Sequence, residues 1–324
     1  MTPAEVADKA GTSPAYVWRV IQGKQNPNQR LIPYLNLLDP KSKDMYFAQR
    51  RKGLHEHLKT ARELDELVAY HCDNPTELFV EIPTDKPIAI CNSADWHIGE
   101  PGCDYGQFEK DVDTWASTDG LYTAFGGDGT ENIIQASKVG SSQNQLPIAV
   151  QRGIIALAYK QCAPRNLYVS TGNHNYWSTL AVGEDWDAEI AQRYKLVYTK
   201  HAAMIWLKVG KQTYPILRMH KGRFNSSKNL THTCKTYQRD YFPQARVIVV
   251  EHDHVAAMEQ YRYDGQECVA IRTGTYATKS DFALRNGFFG AHVSNPTVVY
   301  YPDRDKIVPF KMLEDAITFL AAVR

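Results

Sequence analysis

Apolar residues follow three different rhythms along the chain. In "TPAEVADKAGTSPAYVWRVIQGKQNPN" (residues 2–28) they fit two short helices joined by a tight turn. Thr2–Pro3 and Ser13–Pro14 each place a capping residue before a proline suited to the first helical position. Gly11 lies between them and can adopt the positive φ of a sharp turn. Next, Leu54, Leu58, Ala61, Leu64 and Val68 recur at helical spacing and predict one long amphipathic helix. Its other face carries His55, Glu56, His57, Lys59 and Arg62, expected to be solvated. From residue 86 onward the rhythm is that of strands. "KPIAIC", "LYTAFGG", "RNLYVST", "YPILRM" and "ARVIVV" are short apolar runs, separated by helical-period stretches such as "PIAVQRGIIALAYKQ" and "EDWDAEIAQRYK". Strands alternating with helices argue for a layered α/β body. It ends with two strands around a turn in "VVYYPDRDKIVPF" and a closing helix in "MLEDAITFLAAVR". The expected division is a head over 1–40, a helical spacer over 41–85 and a body over 86–324.

Composition narrows the classes. No apolar run approaches the ~18 residues of a membrane span, and "MTPAEVADKA" has no signal-peptide apolar region, so a cytoplasmic protein with no membrane partner is expected. Six scattered cysteines without a CxxC pair argue against a disulfide framework or a zinc ribbon. The net charge is only +1, but residues 1–62 hold eleven Lys/Arg against five Asp/Glu. A basic end on a near-neutral chain suits a nucleic-acid-binding appendage. The spacing of Ala7, Gly11, Val17 and Val20 resembles the helix-turn-helix unit of phage and bacterial repressors. The resemblance implies a recognition helix over Ser13–Gln22, with Tyr16, Arg19, Gln22 and Lys24 facing DNA. The 45–71 helix is read as a spacer or a homodimer element.

The chemistry lies where the apolar runs stop. Five times a run ends and Asp, Asn or His follows: "SADWHIGE", "DGTEN", "GNHNYW", "HKGRF" and "EHDH". Strand ends of an α/β sheet can converge side chains that are distant in sequence. The collected set is Asp95, His97, Asp128, Asn173, His174, His220, His252 and His254. Singly, each has an ordinary reading as a turn, surface or core residue. Together they offer enough oxygen and imidazole donors for two divalent ions, with no thiol among them.

In this order, D-x-H, GD, GNH, H and H-x-H, the series resembles the calcineurin-like metallophosphoesterases from about residue 88 to about 275. "DWHIG" is particularly similar to the first motif of their double-strand-break repair nucleases, and the later pattern to phage-borne phosphoesterases. The resemblance implies a four-layer αββα sandwich. It also implies one ion held by Asp95, His97 and His254, a second by Asn173, His220 and His252, and Asp128 bridging them. Manganese is the foremost expectation, with iron, zinc or magnesium as alternatives. His174 would assist the leaving group. Two cations about 3.5–4 Å apart neutralise a phosphate ester and lower the pKa of a bridging water from 15.7 towards ~7.

Two positions depart from the family pattern. Asn175 stands where an acid commonly follows the GNH histidine, and Glu251 where glycine is preferred. An amide at 175 can orient His174 but lends it no charge. The polar residue expected after GD is either Glu131 or Asn132. Lys221, Arg223 and Lys228 in the loop after His220 form a candidate phosphate clamp, and Tyr176 and Trp177 candidate stacking surfaces. "RTGTYATKSDFA" (272–283) is expected to line one side of the site. Together these features predict hydrolysis of DNA phosphodiesters. The alternatives are action on nucleotides or phosphoproteins, and a DNA-binding regulator with an idle body.

Overall fold

The computed structural model describes residues 1–39, 54–71, 76–135, 137, 144–280, 289 and 291–324, without the side chains of 57 and 67–71. Expectations for 40–53, Val68 and 281–283 therefore lie outside the described residues. The chain divides into two compact units, Met1–Asp73 and Asn74–Arg324.

In the first unit, α1 (Pro3–Lys9) opens with a capping box. Thr2 Oγ1 accepts from Glu5 N at 3.3 Å, and the Glu5 carboxylate accepts from Thr2 N at 2.8 Å. α2 (Pro14–Ile21) is capped by Ser13, whose Oγ accepts from Tyr16 N at 3.1 Å. Gly11 turns the chain between them at φ +60°. Val6, Ala7, Val17, Val20 and Ile21 pack with Leu31 and Leu38, which flank a 3-10 turn over Ile32–Leu37 and close this small core. Arg19 and Lys24 are exposed and Gln22 is half-buried at the end of α2. Tyr16 is half-buried; its hydroxyl donates to Asn26 O (3.0 Å) and accepts from Asn28 N (2.6 Å), which pins the following turn. α3 (Leu54–His71) forms over the expected amphipathic stretch, with Leu54, Leu58, Ala61 and Leu64 all exposed.

The second unit is built on two sheets. β2 (Ile88–Ser93), β3 (Leu121–Phe125) and β4 (Asn166–Val169) run parallel, with β10 (Thr297–Tyr300) and β11 (Ile307–Phe310) added antiparallel in the order β11-β10-β2-β3-β4. The other sheet has the order β1-β5-β6-β7-β9-β8. Its strands are β1 (Glu77–Ile82), β5 (Ala202–Val209), β6 (Gln212–Met219), β7 (Val247–Val250), β8 (Ala257–Tyr263) and β9 (Gln266–Arg272). Here β6, β7 and β9 are mutually parallel.

Period-two alternation explains the layering. Ile88 and Ile90 of β2 join Ile205, Leu207, Ile216, Val247 and Val249 of the other sheet in a core between the sheets. Ala89 and Cys91 point the opposite way. They pack under α4 (Tyr105–Ser117), α5 (Ile148–Cys162), α7 (Trp186–Tyr194) and α9 (Leu313–Val323). On the far side, Met204, Leu217, Met219, Ile248 and Val250 pack with Cys234 of α8 (His232–Asp240). Helices, sheet, sheet and helix make the expected αββα arrangement. Within the stretch expected as helical spacer, Glu77–Ile82 is instead a strand, paired in parallel with β5 over six residues. No described helix is long and apolar enough to cross a membrane.

Candidate metal centre

β2, β3 and β4 of one sheet and β6 and β7 of the other end at loops that carry the expected ligands. Asp95 and His97 follow β2, and Asp128 follows β3. Asn173 and His174 open α6 (Asn173–Val182) after β4. His220 follows β6, and His252 and His254 follow β7. Ligand atoms of Asp95, His97 and His254 lie within 4.8 Å of one another, as do those of Asp128, His220 and His252. His97, Asp128 and His174 satisfy the same limit, which sets Asp128 between the two groups. Asn173 joins the second group, its Oδ1 3.3 Å from His220 Nε2.

This convergence strains the backbone. Asp95, His97, Asp128, Asn132, His252 and His254 all have positive φ, between 44° and 79°. Such values are uncommon outside glycine and mark over-determined sites. Glycines allow the loops to meet: a Cβ on Gly172 would fall on the Asp128 carboxylate, and one on Gly127 on the backbone of Gly172. Trp96, between two ligand-bearing residues, is only 1% exposed. It packs on Phe108, Trp115 and Phe125, with ring centroids 4.9–5.7 Å away, and anchors the loop to the core.

Each carboxylate uses one oxygen on the protein and keeps the other. Asp95 Oδ2 accepts from His252 N (3.0 Å) and Thr273 Oγ1 (3.4 Å), and Asp128 Oδ1 from His174 N (2.8 Å). The buried Asp95 Oδ1 faces His254 Nε2 at 3.6 Å, and Asp128 Oδ2 faces His220 Nε2 at 3.2 Å and His252 Nδ1 at 4.0 Å, so each meets only other members of the proposed ligand set. His97 Nε2 also faces His254 Nε2 at 2.9 Å, a contact that needs either a proton or a bound cation between the two nitrogens. Oxygen and imidazole donors turned inward towards one another fit a pair of divalent ions.

Surrounding groups fix the histidine tautomers. His97 Nδ1 is 2.7 Å from Glu131 Oε2, so it donates there and leaves Nε2 for a metal. His174 Nδ1 is 2.6 Å from the Glu131 carbonyl, which can only accept, and 3.5 Å from its carboxylate. Glu131 therefore holds both imidazoles, whereas Asn132 bonds the His174 carbonyl and Ser178. The sequence expectation that Asn175 orients His174 is overturned. Asn175 is buried and bonds Thr130 Oγ1 and, at 2.7 Å, Asp187 Oδ1.

The charges are strongly coupled. Burial raises the pKa of Glu131 to about 7. Burial also opposes ionisation of Asp128, yet His220, His174 and His97 outweigh it and hold the carboxyl well below its usual range. For His220, burial is overcome by Asp128, so its pKa is raised to about 10. Burial and the neighbouring His220 take His252 down to about 4. Burial likewise lowers His174.

The remaining expected residues lie around this centre. Lys221 and Arg223 are exposed in the loop after β6. The Trp177 ring is 4.2 Å from that of His174, and the Tyr176 ring 4.8 Å from that of His201. The 272–280 segment closes one side, with Thr275 Oγ1 donating to Asp95 O at 2.7 Å. Arg272 pairs with Asp253, between the two histidines of the last motif. Sequence reasoning missed Arg218; it set Arg272, Thr273 and Thr275 beside the site within 272–283 but could not name their partners, which only three-dimensional contacts reveal. Surface hollows of about 310 and 370 Å³ lie elsewhere and contain none of the ligands.

No protein-family model and no curated protein matches this chain. Among solved structures it is similar to the TT1561 protein of Thermus thermophilus (7% identity, TM-score 0.40, covering 70% of this chain and 99% of that one). It is similar also to a predicted phosphoesterase from Streptococcus pneumoniae (11%, 0.35, 69% and 90%). A third is Vps29 from Entamoeba histolytica, solved with zinc (10%, 0.34, 69% and 97%). At identities this low, the chemistry of this chain has to be read from its own residues.

Proposed function

We propose that this chain is a metal-dependent phosphoesterase of the calcineurin-like kind, and that it hydrolyses phosphodiesters of DNA. The first part rests on one observation: two buried ligand groups meet at Asp128, and their inward donor atoms face one another rather than other parts of the protein. Asp95, His97 and His254 would hold one divalent ion, Asn173, His220 and His252 the other, with Asp128 shared. Bound ions of this type neutralise phosphate charge and make water a nucleophile near neutral pH.

The protein's own contribution centres on His174. Its Nδ1–H is fixed on the Glu131 carbonyl, so Nε2 is the atom left to exchange a proton with a leaving oxygen. Burial favours the neutral ring, and the Glu131 carboxylate at 3.5 Å offsets that when the ring is charged. The DNA part is supported by the excess of Lys/Arg over residues 1–62, where Arg19 and Lys24 are exposed on or just after α2, and by the exposed Lys221 and Arg223 beside His220.

The test is hydrolysis of bis(p-nitrophenyl) phosphate and of single- and double-stranded DNA with Mn²⁺, Fe²⁺, Zn²⁺ or Mg²⁺. Wild type should cleave the small ester. Asp128→Asn should abolish cleavage, and His174→Ala should slow it by roughly 10²–10⁴-fold. Failure of every phosphodiester and monoester with every metal would sink the enzyme reading. Cleavage of small esters alone would sink the DNA reading.

A further inference from the structure

Glu251 departs from the family pattern, and the structure gives it several partners. Its side chain is 3% exposed. Arg218, 1% exposed on β6, grips it with two bonds, Nε to Oε1 at 3.0 Å and Nη2 to Oε2 at 2.6 Å. Oε2 also accepts from Gly127 N at 3.1 Å and lies 3.2 Å from His220 Nδ1. One buried carboxylate thus ties together the loop before Asp128, the strand before His220 and the first residue after β7. Gly126 makes room for it, since a Cβ there would land on the Glu251 carboxylate and on Ala94.

We propose that Glu251, held by Arg218, is a positioning residue for the Asn173–His220–His252 half of the metal centre. It would accept the His220 Nδ1 proton and aim Nε2 at the ion. The proposal rests on the two-ion reading of the site. Nε2 does face Asp128 Oδ2 (3.2 Å) and Asn173 Oδ1 (3.3 Å), the two oxygens that would share that ion. Carboxylates behind metal-binding histidines fix tautomer and ring orientation, and their loss typically weakens metal affinity 10–100-fold. A glycine at 251 would provide none of these bonds. Arg218 holds the carboxylate in place through both of its oxygens. On the far side of His252, Arg272 Nη2 contacts Asp253 Oδ2, so in "EHDH" each acid meets an arginine while the histidines belong to the centre.

The full chain, stripped with EDTA, should bind two Mn²⁺ ions by titration calorimetry. Removing Glu251 alone would strand a buried guanidinium, so the informative variant is the pair Arg218→Met with Glu251→Gln, which leaves no orphaned charge. It should weaken one binding event 10–100-fold and leave the other within about twofold. Equal weakening of both events, or of neither, overturns the positioning role. If the pair does not fold, ¹⁵N NMR of the Zn²⁺-loaded wild type decides. His220, identified by difference against His220→Gln, should carry its proton on Nδ1, and an Nε2-protonated ring overturns the proposal. Wild type that binds no ion at all removes the metal-site reading and the positioning role with it.

Discussion

Asp187 shows what a single buried side chain can do to the whole fold. It is 2% exposed, accepts from Asn175 Nδ2 through Oδ1, and has no partner at Oδ2. Burial raises its pKa to about 7 from an ordinary 3.8. The folded state therefore binds a proton more tightly than the unfolded state, and stability falls as pH rises from about 4 to about 7. A shift of this size corresponds to a ceiling of about 4 kcal/mol. In metal-free protein, Asp187→Asn should flatten that dependence. Urea titrations should find it more stable than wild type at pH 8 and no more stable near pH 4; a lower stability at pH 8 would count against the buried-proton account. Asp187 also shows what the chain conceals at this scale. The proposed ligands were legible because Asp, His and Asn recur in short motifs at the ends of apolar runs. Glu131 was one of two candidates beside those motifs, and Glu251 only an oddity. Arg218, Thr273 and Asp187 lie inside or between elements, and nothing local in the sequence joins them to His220, Asp95 or Asn175.

At the level of elements, legibility followed burial. The strands that lead to ligands, β2, β3, β4, β6 and β7, are largely buried, and each reads as an apolar run. β1, β5 and β8 carry exposed charges, among them Glu77, Glu81, Lys208 and Arg262, and these interrupt the run. α3 poses the opposite problem, an 18-residue helix that is clear in sequence but whose Leu54, Leu58 and Leu64 are exposed among the described residues, at 75%, 46% and 57%. An isolated helix of this length is only marginally stable in water, so packing of the apolar stripe has to supply the rest. We propose that a second copy of α3 provides it. Light scattering behind a sizing column should give a dimer, and Leu58→Glu with Leu64→Glu should give a monomer; a monomeric wild type at tens of micromolar would reject this pairing.

At the scale of the molecule, the question is where head and body can be separated. The expected cut at residue 86 would remove β1. That strand pairs with β5 over Glu77–Ile82 and buries Ile82, 6% exposed, in the core between the sheets. Its loss would bare the edge of β5 and open that core, costing both ladder hydrogen bonds and apolar burial. A cut between Asp73 and Asn74 follows the boundary of the compact units instead and keeps the whole sheet. Residues 74–324 should therefore fold, bind two Mn²⁺ ions and hydrolyse a small phosphodiester at close to the full-length rate, because every proposed ligand lies within them. Residues 86–324 should melt several degrees lower or not fold. If the first unit is what holds DNA, duplex affinity measured by fluorescence anisotropy should drop in the 74–324 fragment. Affinity of the full chain should also fall steeply between 50 and 200 mM salt, as binding through phosphate contacts requires. Unchanged duplex affinity in the fragment would assign DNA contact to the body, with Lys221 and Arg223 the first residues to substitute; loss of small-ester hydrolysis along with DNA binding would mean that the two units do not work as separable parts.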